Sequence, residues 1–327
     1  MKKITPLLLG LCVLICGQGC DKNSNTTTGP ATPPAPKKFR LAFVTNTTNA
    51  FWATVRHGCN NAAQNLGDVA VDFRFFTDST VEAQNAMVSN LVASGVNGIA
   101  LSPIDAEKQT EFLSGIAAKT LLVCVDSDAA DSKRVAFIGS DNATAGKQAA
   151  DLLKAALPQG GKIALFVGYT NAQNAVDRIQ AIQTELAGTS IQIVATLADG
   201  AKIDVAQKNA QEALTKYPDL AALVGLYSYS GPAILNAARA AGKNGRVQIV
   251  CFDDDSATLD GIAAGDIYGS VVQVATRIGY ETISRMDKYL GGDKTQLAAG
   301  NIFFKTIPVT KSSVESIQVY RQNLLEP

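Results

Sequence analysis

Trp52 and His57 are the single tryptophan and the single histidine of a 327-residue chain, and both stand in one polar stretch, TNTTNAFWATVRHG at 45–58, that follows the apolar run LAFV. One histidine rules out a histidine-rich metal site and most histidine-based triads. On the helix expected here, His57 reads as a solvent-facing side chain. The segment YSYSG at 227–231 is not a nucleophile elbow, and no G-x-G-x-x-G follows the first apolar run. The acidic runs DSDAAD and DDD lack the spaced Glu that closes a calcium loop. Neither an enzyme nor a cofactor is expected. What remains is the chemistry of binding: Thr45, Asn46, Ser102, Asp126, Tyr227 and Asp253 each fall where an apolar run stops.

Those runs belong to a repeating pattern. Ten short apolar segments, RLAFVT, VAVDFRFF, GIALSP, TLLVCVDS, VAFIGSD, KIALFVG, IQIVATL, LAALVGLYS, VQIVCFDDD and YGSVVQV, alternate with longer stretches of helical period. This is the pattern of βαβ units and of a parallel sheet flanked by helices. The second half echoes the first. Leu41 is answered by Ile163, Ile99 by Leu223 and Asp126 by Asp253, at offsets of 122, 124 and 127 residues. AQNAMVSNLVAS and AQKNAQEALTKYP, each with apolar residues spaced for one helical face, hold the same place in each half. Two doubly wound, Rossmann-like α/β lobes are therefore expected. Ligands of such open sheets bind beyond the carboxyl ends of the strands, so the polar residues of both halves would line the two walls of one cleft.

At this point the chain resembles the type I periplasmic binding proteins, in particular the branch that binds ribose and related sugars, over residues 39–310. The motifs that carry the resemblance follow in order: Asn49 with the adjacent aromatics Phe51 and Trp52, SP at 102–103, VD at 125–126, SDN at 140–142, DR at 177–178, FD at 252–253 and the Gln of VVQ at 273. Ala50 stands where the family usually carries Pro. The resemblance implies lobes joined by three chain crossings near Ser140, Gln273 and Phe304. One lobe would then comprise residues 39–140 plus 274–304 and the other 141–273 plus 305–327.

The implied site suits a monosaccharide, pentose or hexose. A sugar presents an apolar face of C–H groups and a rim of hydroxyls, which calls for a flat aromatic beside charged and amide groups. Trp52 or Phe51 would stack on the ring, while Asn49, Asp126, Arg178, Asp253 and Gln273 would take hydroxyls. Departures bear on which sugar: Ser102 and Ser127 replace an Asn and an Arg of ribose binders, and Tyr227 replaces an Asn. The second-lobe aromatic falls in the Gly and Ala stretch DGAKID, so one stacking partner is missing, for which Tyr227 or Tyr229 could substitute.

Composition and the N-terminus place the protein. Lys and Arg number 29 against 29 Asp and Glu, so no bulk charge draws the chain to nucleic acid. Lys2, Lys3, the apolar run LLLGLCVLIC and GQGC at 17–20 read as a secretory signal (residues 1–20) ending in a lipoprotein site, with Cys20 lipidated. Residues 21–38, rich in Thr, Asn and Pro, read as a solvated tether. The lactose-repressor family shares the two-lobed body but carries a DNA-binding helix-turn-helix in that position. Cys59, Cys124 and Cys251 are an odd set, and the two in apolar runs read as buried small hydrophobes. The expectation is a monomeric, lipid-anchored, extracytoplasmic protein that presents its closed form to the permease of an ABC transporter, or else to a membrane receptor.

Overall fold

A computed structural model describes residues 38–78 and 80–325, which belong to one compact unit. The signal, Cys20 and the tether up to residue 37 lie outside the described residues. The chain runs β1 (Phe39–Val44), α1 (Ala50–Leu66), β2 (Val69–Arg74), α2 (Val81–Ala93), β3 (Gly98–Leu101), α3 (Ala106–Ala117), β4 (Leu121–Val125), β5 (Ala136–Ser140) and α4 (Asn142–Ala156). It continues with β6 (Gly161–Val167), α5 (Gln173–Leu186), β7 (Ile191–Ala198), α6 (Ile203–Lys216), β8 (Leu220–Gly225), α7 (Ser230–Ala240), β9 (Gln248–Phe252), α8 (Ser256–Ala264) and β10 (Gly269–Val272). The last elements are α9 (Ala275–Leu290), β11 (Asn301–Phe304), β12 (Ile307–Thr310) and α10 (Val314–Leu325).

These strands build two six-stranded sheets, in the orders β11-β5-β4-β3-β1-β2 and β12-β10-β9-β8-β6-β7. Position for position, the second order is the first one displaced, as the internal echo of the sequence requires. All pairings are parallel except that of β10 with β12. Both sheets are covered on both faces, which is why their strands read as nearly unbroken apolar runs rather than alternating ones. Side chains still alternate: Leu41 and Phe43 of β1 enter one apolar cluster while Ala42 and Val44 enter another across the sheet. In β6, Ile163, Leu165 and Val167 are divided in the same way from Ala164 and Phe166. The ten strands expected from the sequence are present. β11 and β12 are the two it does not announce, being four residues each, on sheet edges and half exposed.

Local sequence sets where the elements begin. Asn49, Thr80, Asp105 and Asp141 cap α1, α2, α3 and α4 by accepting a backbone N–H of the first turn. The strand ends are tied down by buried amides: Gln84 of α2 donates to the carbonyls of Thr45 and Ser102, at 3.1 and 3.0 Å. Gln109 of α3 in turn donates to Gln84 Oε1 at 2.8 Å. Thus one side chain of α2 ties the carboxyl ends of β1 and β3 together, and α3 braces that side chain.

The chain passes between the sheets in the short segments after β5, β10 and β11. After β10, α9 returns to pack on α1 in near backbone contact. A Cβ on Gly58 would lie 1.9 Å from the Thr276 carbonyl oxygen, and one on Gly279 would lie 2.0 Å from that of Val55. Cys59, Cys124 and Cys251 are buried and free, and burial raises all three thiol pKa values, that of Cys124 to about 12. They behave as the small hydrophobes their positions suggest. His57 is half-buried, with Nε2 3.1 Å from Asn61 Nδ2.

Candidate functional site

The carboxyl ends of the two sheets meet around a small cavity. From the first sheet come Asn49, Phe51 and Trp52, which follow β1, and Asp126, which follows β4. The second contributes Asn174 and Arg178 of α5, Tyr227 and Ser228 after β8, Asp253 after β9 and Gln273 after β10. Eight of the ten residues expected from the sequence are thereby brought together. Ser102 and Ser127 are fully buried but do not line the cavity. Ser102 Oγ instead donates to Asp126 Oδ2 at 3.5 Å. Asn174 and Ser228 are site residues that the motifs did not single out. Asn174 lies four residues before Arg178, hence on the same face of α5, and that spacing is the signal that could have found it.

Asn49 has two duties. Its Oδ1 accepts from the Trp52 backbone N–H at 3.3 Å, starting α1, and this fixes where the next turn carries its two aromatics. Trp52 is 1% exposed, with its indole N–H donating to Asn46 Oδ1 at 3.0 Å. Phe51 and Phe43 meet its ring edge-on, at 5.0 and 5.9 Å between centroids. Packing in the core and lining the cavity are therefore not alternatives for Trp52 or Phe51. Tyr229, the other aromatic considered for the second wall, stands behind Tyr227 at 6.0 Å and donates to Asp199 Oδ1 at 2.5 Å.

Asp126 and Asp253 hold equivalent places in the two halves, and both have left-handed backbones, with φ of 65° and 68°. Outside glycine that conformation is uncommon, and Asp tolerates it better than most residues. Each residue is held both at its carboxylate and at its backbone carbonyl. Asp126 Oδ2 accepts from Asn174 Nδ2 at 2.9 Å, and its backbone carbonyl accepts from Asn142 Nδ2 at 3.3 Å. Gln273 Nε2 donates to Asp253 Oδ1 at 2.9 Å, and Ser270 Oγ donates to the Asp253 carbonyl at 2.6 Å. These are buried acceptors rather than solvated helix caps.

Arg178 is 1% exposed and anchored on three sides. Its Nε donates to Asn142 Oδ1 at 2.9 Å, its Nη1 to the Leu226 carbonyl at 2.7 Å, and its guanidinium lies 4.4 Å from the Phe252 ring centroid. Burial pushes the carboxyls up, Asp126 to about 6 and Asp253 to about 7, while the positive charge of Arg178 and the amide of Gln273 pull both back down. Three buried polar atoms of the cavity residues have no hydrogen-bond partner within the protein: Arg178 Nη2, Ser228 Oγ and Gln273 Oε1. Two can donate and two can accept, since the Ser hydroxyl does both.

Paired doubly wound sheets whose polar carboxyl ends converge on one cleft define a two-lobed ligand-binding protein. The chain belongs to the periplasmic binding protein domain family, whose model matches residues 42–294. The family consists of binding proteins. This is the family that the motifs resemble.

Among its relatives, the ribose import binding protein of Escherichia coli K12 is 25% identical over 265 residues, covering 80% of this chain and 88% of that protein. The D-ribose/D-allose-binding protein of Pseudomonas aeruginosa is 23% identical over 269 residues, covering 79% and 84%. Among solved structures, a solute-binding protein of Burkholderia graminis in complex with D-arabinose superposes with a TM-score of 0.80 at 24% identity, over 86% of this chain and 98% of that one. One from Agrobacterium vitis bound with alpha-D-tagatopyranose also reaches 0.80, at 25% identity over 87% and 98%.

Proposed function

We propose that this protein captures a monosaccharide, a pentose or hexose, between its two sheets and serves as the substrate-binding component of a sugar ABC transporter. The observation that carries this reading is the set of unpartnered buried atoms on Arg178, Ser228 and Gln273, placed between two carboxylates and beside Phe51 and Trp52. A hydroxyl donates one hydrogen bond and accepts up to two, so a polyol rim satisfies donors and acceptors together, which a simple anion or an apolar ligand does not. Relatives that take ribose, allose or arabinose support the same class of ligand. The lobes we assign are residues 39–140 with 274–304 and residues 141–273 with 305–327. Only the closed arrangement contacts a ligand from both walls, so binding favours closure, and the closed form is what a membrane permease would recognise.

The test is a titration of the purified protein with pentoses and hexoses, followed by tryptophan fluorescence and by calorimetry. Because Trp52 is the only tryptophan and lines the cavity, a saturable change with one sugar at micromolar concentration is expected. Heat without a fluorescence change would put the sugar elsewhere, and silence in both would overturn the reading.

The same reading places the protein outside the cytoplasm, as a monomer held to a membrane by a lipid on Cys20 and standing off it on the tether. Cys20→Ser should release it into the soluble fraction. Membrane association unchanged by that substitution would count against the anchor and leave the sugar site untouched.

A further inference from the structure

The sugar-binding reading leaves open which part of the ligand the second wall recognises, and Asn174 bears on that. Its side chain is 3% exposed, comes from α5 on the second sheet, and donates across the cavity from Nδ2 to Asp126 Oδ2 at 2.9 Å. Its Oδ1 accepts from the Tyr227 hydroxyl at 3.4 Å. That contact orients the amide, because turning it over would bring an NH2 group against the phenol and the carbonyl against the Asp126 carboxylate.

Tyr227 has no freedom to follow a rotating amide. A Cβ on Gly168 would lie only 2.5 Å from Cε2 of its ring, and Tyr229 meets the ring edge-on from another side. Tyr229 is itself held by Asp199. A rigid chain of contacts thus runs from Asp199 through the two tyrosines to Asn174, and ends on the carboxylate of the opposite wall.

We propose that Asn174, oriented by Tyr227, is a specificity-determining residue of the sugar site that with Asp126 reads a single ligand hydroxyl. That hydroxyl donates to Asp126 and accepts from Asn174 Nδ2, replacing the direct bond between the two side chains. An analogue lacking the hydroxyl forfeits both bonds to the site, and Asn174 and Asp126 recover only the one bond between them, so the analogue binds more weakly. The site also rejects the epimer that points the hydroxyl elsewhere. The inference rests on the sugar-binding reading, and its test separates the two.

The experiment titrates the wild type, Asn174→Ala and Tyr227→Phe with D-ribose, D-arabinose, D-xylose and D-allose and with their 2-, 3- and 4-deoxy forms, by calorimetry. For the sugar that the wild type binds best, Asn174→Ala should bind at least tenfold more weakly. One deoxy form alone should be bound by the wild type and the variant within twofold of each other, while the remaining deoxy forms keep the tenfold gap. Tyr227→Phe, which keeps the ring and its packing, should show a smaller loss confined to the same deoxy position, and it provides the test if Asn174→Ala fails to fold. Equal binding of every compound by Asn174→Ala and the wild type overturns the inference. So does a loss shared by all the deoxy forms, which marks a packing role, and in both cases the sugar-binding reading stands. If none of these sugars binds the wild type at millimolar concentration, that reading fails and the inference falls with it.

Discussion

Arg178→Ala is expected to weaken sugar binding a hundredfold or more. The guanidinium is the positive group that holds down the pKa of both Asp126 and Asp253, and it also offers a free N–H to the cavity. Removing one partner from a buried charged cluster costs about 3–5 kcal/mol, because the opposite charge stays buried and uncompensated. At about 1.4 kcal/mol per tenfold change, two orders of magnitude is the lower end of that range.

Protonation gives the substitution its own pH signature. Folded-state pKa values of about 6 and 7 lie above the ordinary carboxylate value, so the stability linked to these protons is present below about pH 4 and is lost as pH rises through 6 and 7. Without Arg178 both carboxyls shift further up. The variant's deficit in melting temperature should therefore be largest at pH 8 and should shrink as pH falls towards 5. A deficit that does not depend on pH, or normal sugar affinity in calorimetry, would remove Arg178 from its assigned place.

Gly58→Ala is expected to destabilise the folded body, although Ala is ordinarily the better helix residue. The added methyl would lie 1.9 Å from the Thr276 carbonyl oxygen and 2.9 Å from the Tyr280 backbone nitrogen. Neither is the movable end of a side chain, so α1 and α9 must separate. Overpacking of this kind costs roughly 1–3 kcal/mol, occasionally more, and each kcal/mol lowers the melting temperature by about 2–4 °C in a domain of this size. Gly115, exposed in α3 with nothing within 4 Å of an added Cβ, is the control. Gly115→Ala should be neutral or stabilising by about 0.5–1 kcal/mol. If both substitutions behave alike in thermal unfolding, the close helix contact is not as described.

Much of the architecture was legible in the chain. Buried parallel strands need apolar residues on both faces, so each one appears as a compact run, and ten of the twelve are visible in that way. The equivalence of Asp126 and Asp253 was legible too, as an offset shared by their halves. It extends to the left-handed backbone that both residues adopt. Order and spacing of the motifs were enough for the family, and eight of the residues they pointed to meet in one cavity.

Other features depend on distances between segments far apart in sequence. β11 and β12 are short edge strands whose residues half face solvent, so no apolar run marks them. That Ser102 should support Asp126 from behind rather than face the cavity depends on how β3 lies beside β4. Gln84 and Gln109 read as ordinary helix residues, and only the packing of α2 and α3 on the strand ends makes them partners of buried carbonyls. Asn174 carried a weak signal, its helical spacing from Arg178. Its contact with Asp126, 48 residues away and on the other sheet, exists only because the two carboxyl edges face one another. Periodicity and composition act along the chain, so the sequence by itself determined the strands, the helices and the doubling. Which polar side chains meet, and which atoms among them are left without a partner, was decided by tertiary structure, because hydrogen bonds are set by distances across the fold and not along the chain.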